Sequence, residues 1–237
     1  MQIIYYPHES IDSTNTWAKQ NCHHFQKDAL SVVWAKEQRK GRGRHGRTWI
    51  SPPQDNVTAS FVIFTNKDLA HFYLFSECMA ICLKEQLLSY QVRPRIKWPN
   101  DILINDKKIA GILIESAHVQ KDSVLIVGVG INVNMTEQEL LYIPKKATSL
   151  FVETKKNYVP LSLIVDLSHL FVSKLSSLEQ IPKVWKNEVA WMVGQKHKIT
   201  TPNRTIEGVI QSIDEDGTLH VVQTDTKEAV VISNGEI

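Results

Sequence analysis

The sequence predicts an α+β fold, in which a mixed or antiparallel sheet backed by helices is followed by a small all-β module. Three observations predict it. Runs rich in β-branched and aromatic residues recur along the first half, among them SVVWAKEQ (31–38), NVTASFVIF (56–64) and SVLIVGVGINVNM (123–135). Two longer segments, 69–88 and 160–178, place apolar residues at helical three- and four-residue steps. Near Val193–Gly194 the composition changes to short alternating runs separated by turn clusters. The chain of 237 residues is 43% hydrophobic and 22% charged, which suits a soluble globular protein of one large or two modest domains.

Taken in order, QIIYY (2–6) reads as a strand. The polar stretch after it offers Asp12, Ser13 or Thr14 as cap for a helix through Trp17 and Ala18. The strand at 31–38 feeds a Gly/Arg-rich loop at 39–48, and the strand at 56–64 follows. From Leu69 to about Leu88, Phe72, Phe75, Met79, Cys82, Leu83 and Leu87 mark one face of a helix packed on a sheet. RPRIKWPNDILINDKKIAGILIES then reads as strand, Asn-Asp turn and strand, a hairpin, with the buried strand 123–135 next to it. Helices are expected over 160–178 and again after Pro182. KHKIT, TIEGVIQSI, TLHVVQ and AVVIS, separated by TPN, DEDG and TDTK, form a barrel-like module too small to be securely independent, so it should dock on the larger part.

Lys+Arg exceed Asp+Glu by 27 to 25, a balance that excludes a general polyanion coat. The charge is nevertheless uneven. Arg39, Lys40, Arg42, Arg44 and Arg47 crowd into positions 39–47 with no acid among them, leaving 22 basic against 25 acidic residues elsewhere. Three cysteines, Cys22, Cys78 and Cys82, make no disulfide framework and suit a reducing compartment; Cys78 and Cys82, four apart, read as small core residues. The N-terminal stretch has no signal-peptide pattern, and no apolar run approaches the roughly 20 residues of a membrane span. A cytoplasmic protein that does not bind membranes is expected.

Chemistry concentrates in four places. In the loop 38–49, glycines that let a backbone approach a ligand alternate with arginines whose planar forks match phosphate or carboxylate. It suits a loop folding over an anionic ligand, or equally a solvated loop gripping nucleic acid nonspecifically. KWPND (97–101) reads as a positioned lysine at a strand end, or as a plain β-turn with an exposed lysine. Gly111, Gly128 and Gly130 interrupt apolar strands, where a flat ligand against the sheet or close packing would require them; Asn132 ends that run as a polar contact. DSTN (12–15) gathers short polar groups at a helix start, more than capping needs.

Together these motifs resemble the biotin protein ligases. The matching residues are DSTN at 12–15, GRGRHGRTW at 41–49, KWPNDI at 97–102, KIAGILIE at 108–115 and GVGINVN at 128–134, in the family's order across essentially the whole chain. IEGVIQSIDEDGTL also matches, loosely, the family's small C-terminal cap. The resemblance implies a class II aminoacyl-tRNA-synthetase-like catalytic domain over 1–192 and an SH3-like β-barrel over 193–237, without an N-terminal DNA-binding domain. It departs from the family at His45, where arginine is usual and a partly protonated ring replaces a fixed charge, and at Thr48.

The implied activity is ATP-dependent joining of biotin, through biotinyl-5′-AMP, to a lysine of the biotin carboxyl carrier protein of acetyl-CoA carboxylase. ATP and biotin are then substrates and Mg²⁺ is expected with ATP, with no metal-holding residues identified. By resemblance, Lys97, Arg42 and Arg44 are catalytic, Lys97 reaching both biotin carboxylate and phosphate. Ser13, Thr14, Asn15, Gln38, Arg42, Gly43, Arg44, Lys97 and Gly111 contact biotin, and Arg44, Arg47, Lys97 and Asn132 contact ATP. A lysine acceptor, with a pKa of about 10.4, must lose its proton before attack; Asp101 is one candidate base, and a turn cap is its other role. A lipoate or octanoate ligase of the same superfamily and a nucleic-acid binder using the 39–47 loop are the alternatives. No DNA partner is expected, and monomer and homodimer stay open.

Overall fold

The computed structural model describes residues 1–52, 56–65 and 72–237. A seven-stranded sheet carries the first part of the chain: β1 (Gln2–Ile11), β2 (Ala29–Gln38), β3 (Asn56–Thr65), β4 (Arg95–Lys97), β5 (Asp101–Ile104), β6 (Lys107–Val119) and β7 (Asp122–Asn132). The strand order is β1-β2-β3-β7-β6-β5-β4. Only β1 and β2 run parallel; every other neighbouring pair is antiparallel, so the sheet is mixed as expected. β1 runs well past Tyr6 because its register with β2 continues to Ile11↔Gln38, which brings the start of the next helix beside the end of β2.

That helix, α1 (Thr14–Gln20), is capped by Ser13, whose hydroxyl accepts from the Thr16 amide. The long helix α2 (Tyr73–Ser89) buries Phe75, Met79, Cys82, Leu83 and Leu87 as its spacing predicts; the expected start at 69–71 lies outside the described residues. Cys22, Cys78 and Cys82 are free and buried. Two short helices unmarked in the sequence reading, α3 (Glu137–Leu140) and α4 (Leu150–Thr154), precede α5 (Pro160–Leu175) and α6 (Ile181–Val189). Phe171 of α5 meets Phe61 of β3 edge-on, ring centres 5.9 Å apart, so helices and sheet share one core. The Asn105–Asp106 turn joins β5 to β6, both residues in the left-handed region that a tight hairpin turn demands.

Strands β8 (Lys196–Thr200), β9 (Thr205–Ile213), β10 (Leu219–Gln223) and β11 (Ala229–Ile232) form a second, antiparallel sheet in the order β11-β10-β9-β8. Ile199, Ile206, Ile213 and Leu219 join the same buried apolar cluster as Trp98 and Met192. The Trp98 indole donates to the carbonyl of Gly217 at 2.7 Å, in the β9–β10 turn. Among the described residues, no single helix is long and apolar enough to cross a membrane.

Candidate active site

A cavity of about 720 Å³ lies over one face of β6 and β7. The start of α1, the end of β2, the loop 42–50, residues 143–147 and Glu236 enclose it. At one end every group is neutral or paired. Thr14 donates through its amide (2.8 Å) and hydroxyl (3.1 Å) to Gln38 Oε1. The Ser60 hydroxyl lies 2.8 Å from Thr14 Oγ1 and 2.6 Å from Asn15 Oδ1. Asn15 Nδ2 donates to the Leu113 carbonyl at 3.1 Å and to Glu115 Oε2 at 2.9 Å. DSTN is therefore more than a cap: one hydroxyl closes the helix, Thr14 ties it to Gln38 and Ser60, and Asn15 ties it to Leu113 and Glu115, about a hundred residues away.

The glycines in β6 and β7 have named occupants. A Cβ on Gly128 would lie 2.3 Å from Asn15 Oδ1, and one on Gly130 2.3 Å from the Trp49 indole. Gly111 also faces Trp49, at 3.4 Å, and Lys108 at 2.9 Å. The flat group against the sheet is thus the protein's own indole, and Trp49 Nε1 is buried without a partner among the described residues. The loop holds this indole by folding on itself. Gly43 N–H donates to the Arg47 carbonyl at 2.8 Å and Trp49 N–H to the Gly41 carbonyl at 3.0 Å. His45 and Gly46, both left-handed, turn the chain between them, so His45 occupies the tip of the loop.

The other end of the cavity is cationic, with Arg44, Arg47, Lys108 and Lys145 lining it. Arg44 donates to the Gly235 carbonyl at 3.1 Å and to Asn234 Oδ1 at 2.8 Å, and its burial lowers its pKa from the usual guanidinium value. Arg47 pairs with Glu236, as does Lys145 at 2.6 Å. Arg42 is tied to Glu115 at 2.8 Å and to Thr16 at 3.1 Å. Asn132 donates to the Thr148 carbonyl at 3.0 Å, while its buried Oδ1 has no partner among the described residues.

Ser13, Thr14, Asn15, Gln38, Arg42, Gly43, Arg44, Arg47, Gly111 and Asn132 all line this one cavity. Lys97 is not itself a lining residue but stands beside the cationic end, opposite Asp101 in the β4–β5 pair and within electrostatic reach of Lys108, Lys145 and Glu236. Its ammonium donates to the Ile237 carbonyl, and burial lowers its pKa. Lys97 sits on β4, the outermost strand, next to Asp101 of β5, which lines the cavity. Lys108 on β6 lines the cavity and pairs with Asp101 at 2.5 Å. Asp101 is thereby ion-paired. Lys108, Trp49, Lys145 and Glu236 were missed in the sequence. Lys108 and Trp49 stand inside quoted motifs, where the glycines drew the attention, whereas Lys145 and Glu236 carry no local signal.

The cavity therefore suits a ligand with a neutral polar head and an anionic end. The family model described as the Biotin/lipoate A/B protein ligase family matches residues 8–132. The chain belongs to that family. Within it the similarity is to the biotin protein ligases. The chain is 28% identical over 226 residues to the bifunctional ligase/repressor BirA of Escherichia coli (strain K12), covering 90% of this chain and 67% of that protein. It is 39% identical over 106 residues to the biotin–[acetyl-CoA-carboxylase] ligase of Paracoccus denitrificans, 44% of this chain and 43% of that one. The biotin protein ligase from Aquifex aeolicus in complex with biotin and ATP shares the fold, with a TM-score of 0.75 at 22% identity over 99% of this chain and 97% of that chain.

Proposed function

We propose that this member of the family is an ATP-dependent biotin ligase that forms biotinyl-5′-AMP with release of pyrophosphate, then passes biotin to a lysine of a biotin carboxyl carrier protein. The observation that carries this is the polarity of the cavity, neutral donors and acceptors at the Ser13–Asn15 and Gln38 end and four cations at the other. In the first step a biotin carboxylate oxygen attacks the α-phosphorus, forming one P–O bond and breaking the bond to pyrophosphate. Two anions must meet, so fixed positive groups lower the barrier most where negative charge accumulates. Lys97 serves between carboxylate and phosphate, with Lys108 beside it across Asp101 and Arg44 and Arg47 on the phosphate side. Thr14, Asn15 and Gln38 hold the neutral ureido ring, with Gly43 and Arg42 alongside, and Asn132 Oδ1 is a free acceptor for the nucleotide. A loop folded over the mixed anhydride also keeps water from it.

Mg²⁺ would arrive with ATP as part of the substrate. Among the described residues no group of three or more His, Cys, Asp or Glu side chains gathers to hold an ion, and the two carboxylates lining the cavity, Asp101 and Glu236, are each ion-paired. No step is routed through the metal. In the same reading 1–192 is a class II synthetase-like catalytic domain and 193–237 an SH3-like cap, working in the cytoplasm. The basic loop counts against nucleic acid, because Asp12 engages Arg39 and Lys40, Glu115 engages Arg42 and Glu236 engages Arg47. The test is pyrophosphate release from ATP with biotin, octanoate or lipoate supplied. Release with biotin alone is expected, and release only with a fatty acid or lipoate overturns the substrate assignment.

A further inference from the structure

A second cavity, of about 220 Å³, opens off the edge of β6 beside the first, between α2, the β9–β10 turn and Trp185 of α6. Arg44, Asn100, Ile112 and Leu113 line both cavities, so the two abut. Its character is opposite to the cationic end of its neighbour. Glu77 lines it, 3% exposed, with Oε2 buried and unpartnered among the described residues. Asp216 stands at its exposed mouth, one oxygen accepting the Thr218 amide, and Trp98 and Trp185 supply aromatic walls. A carboxyl at the bottom, a carboxylate at the mouth and aromatic faces between them are the features that recognise an organic cation.

We propose that this second cavity binds a primary alkylammonium group and is the entry subsite for the side chain of the acceptor lysine. The identity of the amine rests on the biotin-ligase reading; the chemistry of the site does not. The acceptor must come close to an adenylate that four cations surround, and an ammonium approaching past Arg47, Lys108 and Lys145 would be repelled. The cavity at Glu77 offers the route on which its charge is attracted and its aliphatic stem is covered. Arg44, fixed to Gly235 and Asn234 at the shared wall, confines the ammonium to the carboxyl end.

The ionisation state of Glu77 sharpens the expectation. Burial, with Asp216 adding to it, pushes its carboxyl up to about 9, so it is protonated near neutral pH. The other ionisable groups facing it are Tyr73 on its own helix, itself shifted upward by burial, and Arg44. An entering ammonium favours the carboxylate, so binding converts carboxylic acid plus ammonium into an ion pair and one released proton. The amine itself keeps all its protons in this subsite.

The experiment titrates the whole protein with n-butylammonium chloride at neutral pH, in two buffers of different ionisation enthalpy, with n-butanol as the uncharged control. Saturable binding with buffer-dependent heat from proton release is expected, and none with n-butanol. Glu77→Gln, an isostere of the protonated acid, and Asp216→Asn, on the surface, should each weaken it. For Glu77→Gln a loss of about tenfold or more, disappearance of the proton release and a matching rise in KM for the carrier-protein acceptor are expected. Unchanged n-butylammonium affinity in both variants, or no binding by the wild-type protein, overturns the proposal. Absence of biotin-dependent pyrophosphate release in the wild type would overturn the ligase reading instead, and the amine titration would still decide the subsite.

Discussion

Replacing Lys108 by alanine tests the assignment of the cationic end most directly. The Lys108 ammonium lines the cavity, is 28% exposed and lies 2.5 Å from Asp101. A unit charge about 4 Å from a developing anion, at an effective dielectric near 20, contributes about 4 kcal/mol. Removing one fixed donor from such a centre costs about 10²–10³ in rate, which is the same size. Lys108→Ala should therefore lower biotin-dependent ATP–pyrophosphate exchange by about 10²–10³-fold. It also leaves the Asp101 carboxylate uncompensated beside the incoming anion, so Lys108→Ala combined with Asp101→Asn should recover part of the loss. Lys97→Ala, which removes a buried charge from the same cluster of Asp101, Glu236, Lys108 and Lys145, should cost about as much. The reasoning fails if Lys97→Ala and Lys108→Ala both keep full exchange.

Three further outcomes follow from contacts already described. Gly128→Ala drives a methyl into an Asn15 amide pinned on both sides, so overpacking should destabilise by about 2–3 kcal/mol, seen as a melting point about 5–10 °C lower. Because Glu77 is held protonated in the fold but has an ordinary carboxyl in the unfolded chain, its contribution is complete below the unfolded value of 4.5 and is lost as pH rises toward about 9. Wild type should thus lose stability relative to Glu77→Gln between those limits in urea titrations, and parallel pH profiles would contradict the shift. Glu236→Gln leaves Arg47 and Lys145 without their shared carboxylate, so trypsin should cut within 39–47 several times faster than in wild type.

Local structure was legible because local chemistry dictates it. The β-branched runs at 31–38 and 56–64, the Asn105–Asp106 turn and the alternating strands after Gly194 all stand where their patterns put them. The neutral end of the cavity was legible too, because Ser13, Thr14 and Asn15 exceed what a helix start requires. Illegible were contacts whose partners are far apart in the chain. Arg44 meets residues 234 and 235, Lys145 meets Glu236, and Asn15 meets Glu115. No periodicity records such pairings, since they follow from which strands neighbour each other. Lys108 was missed for that reason: it lies eleven positions after Lys97, two strands away, and only the strand order brings both lysines to Asp101 of β5 between them.

The same topology explains why one end of the cavity can be cationic without driving the chain apart. Arg44, Arg47 and Lys145 are held by Asn234, Gly235 and Glu236, which follow the last strand of the second sheet, and Lys97 reaches the same segment. A short stretch after β11 thus supplies the acceptors that the basic loop lacks within itself. Within the cavity one oxygen of Glu236 lies on Arg47 and Lys145 and the other is buried without a partner among the described residues. An anionic ligand entering there must share or take over those cations, so ligand affinity and the docking of the second sheet draw on the same charges. Two of the loop's positive residues, Arg44 and Arg47, are thus held by partners from the segment after β11, which is why a basic cluster that looked self-sufficient in sequence could be read equally well as a solvated arm.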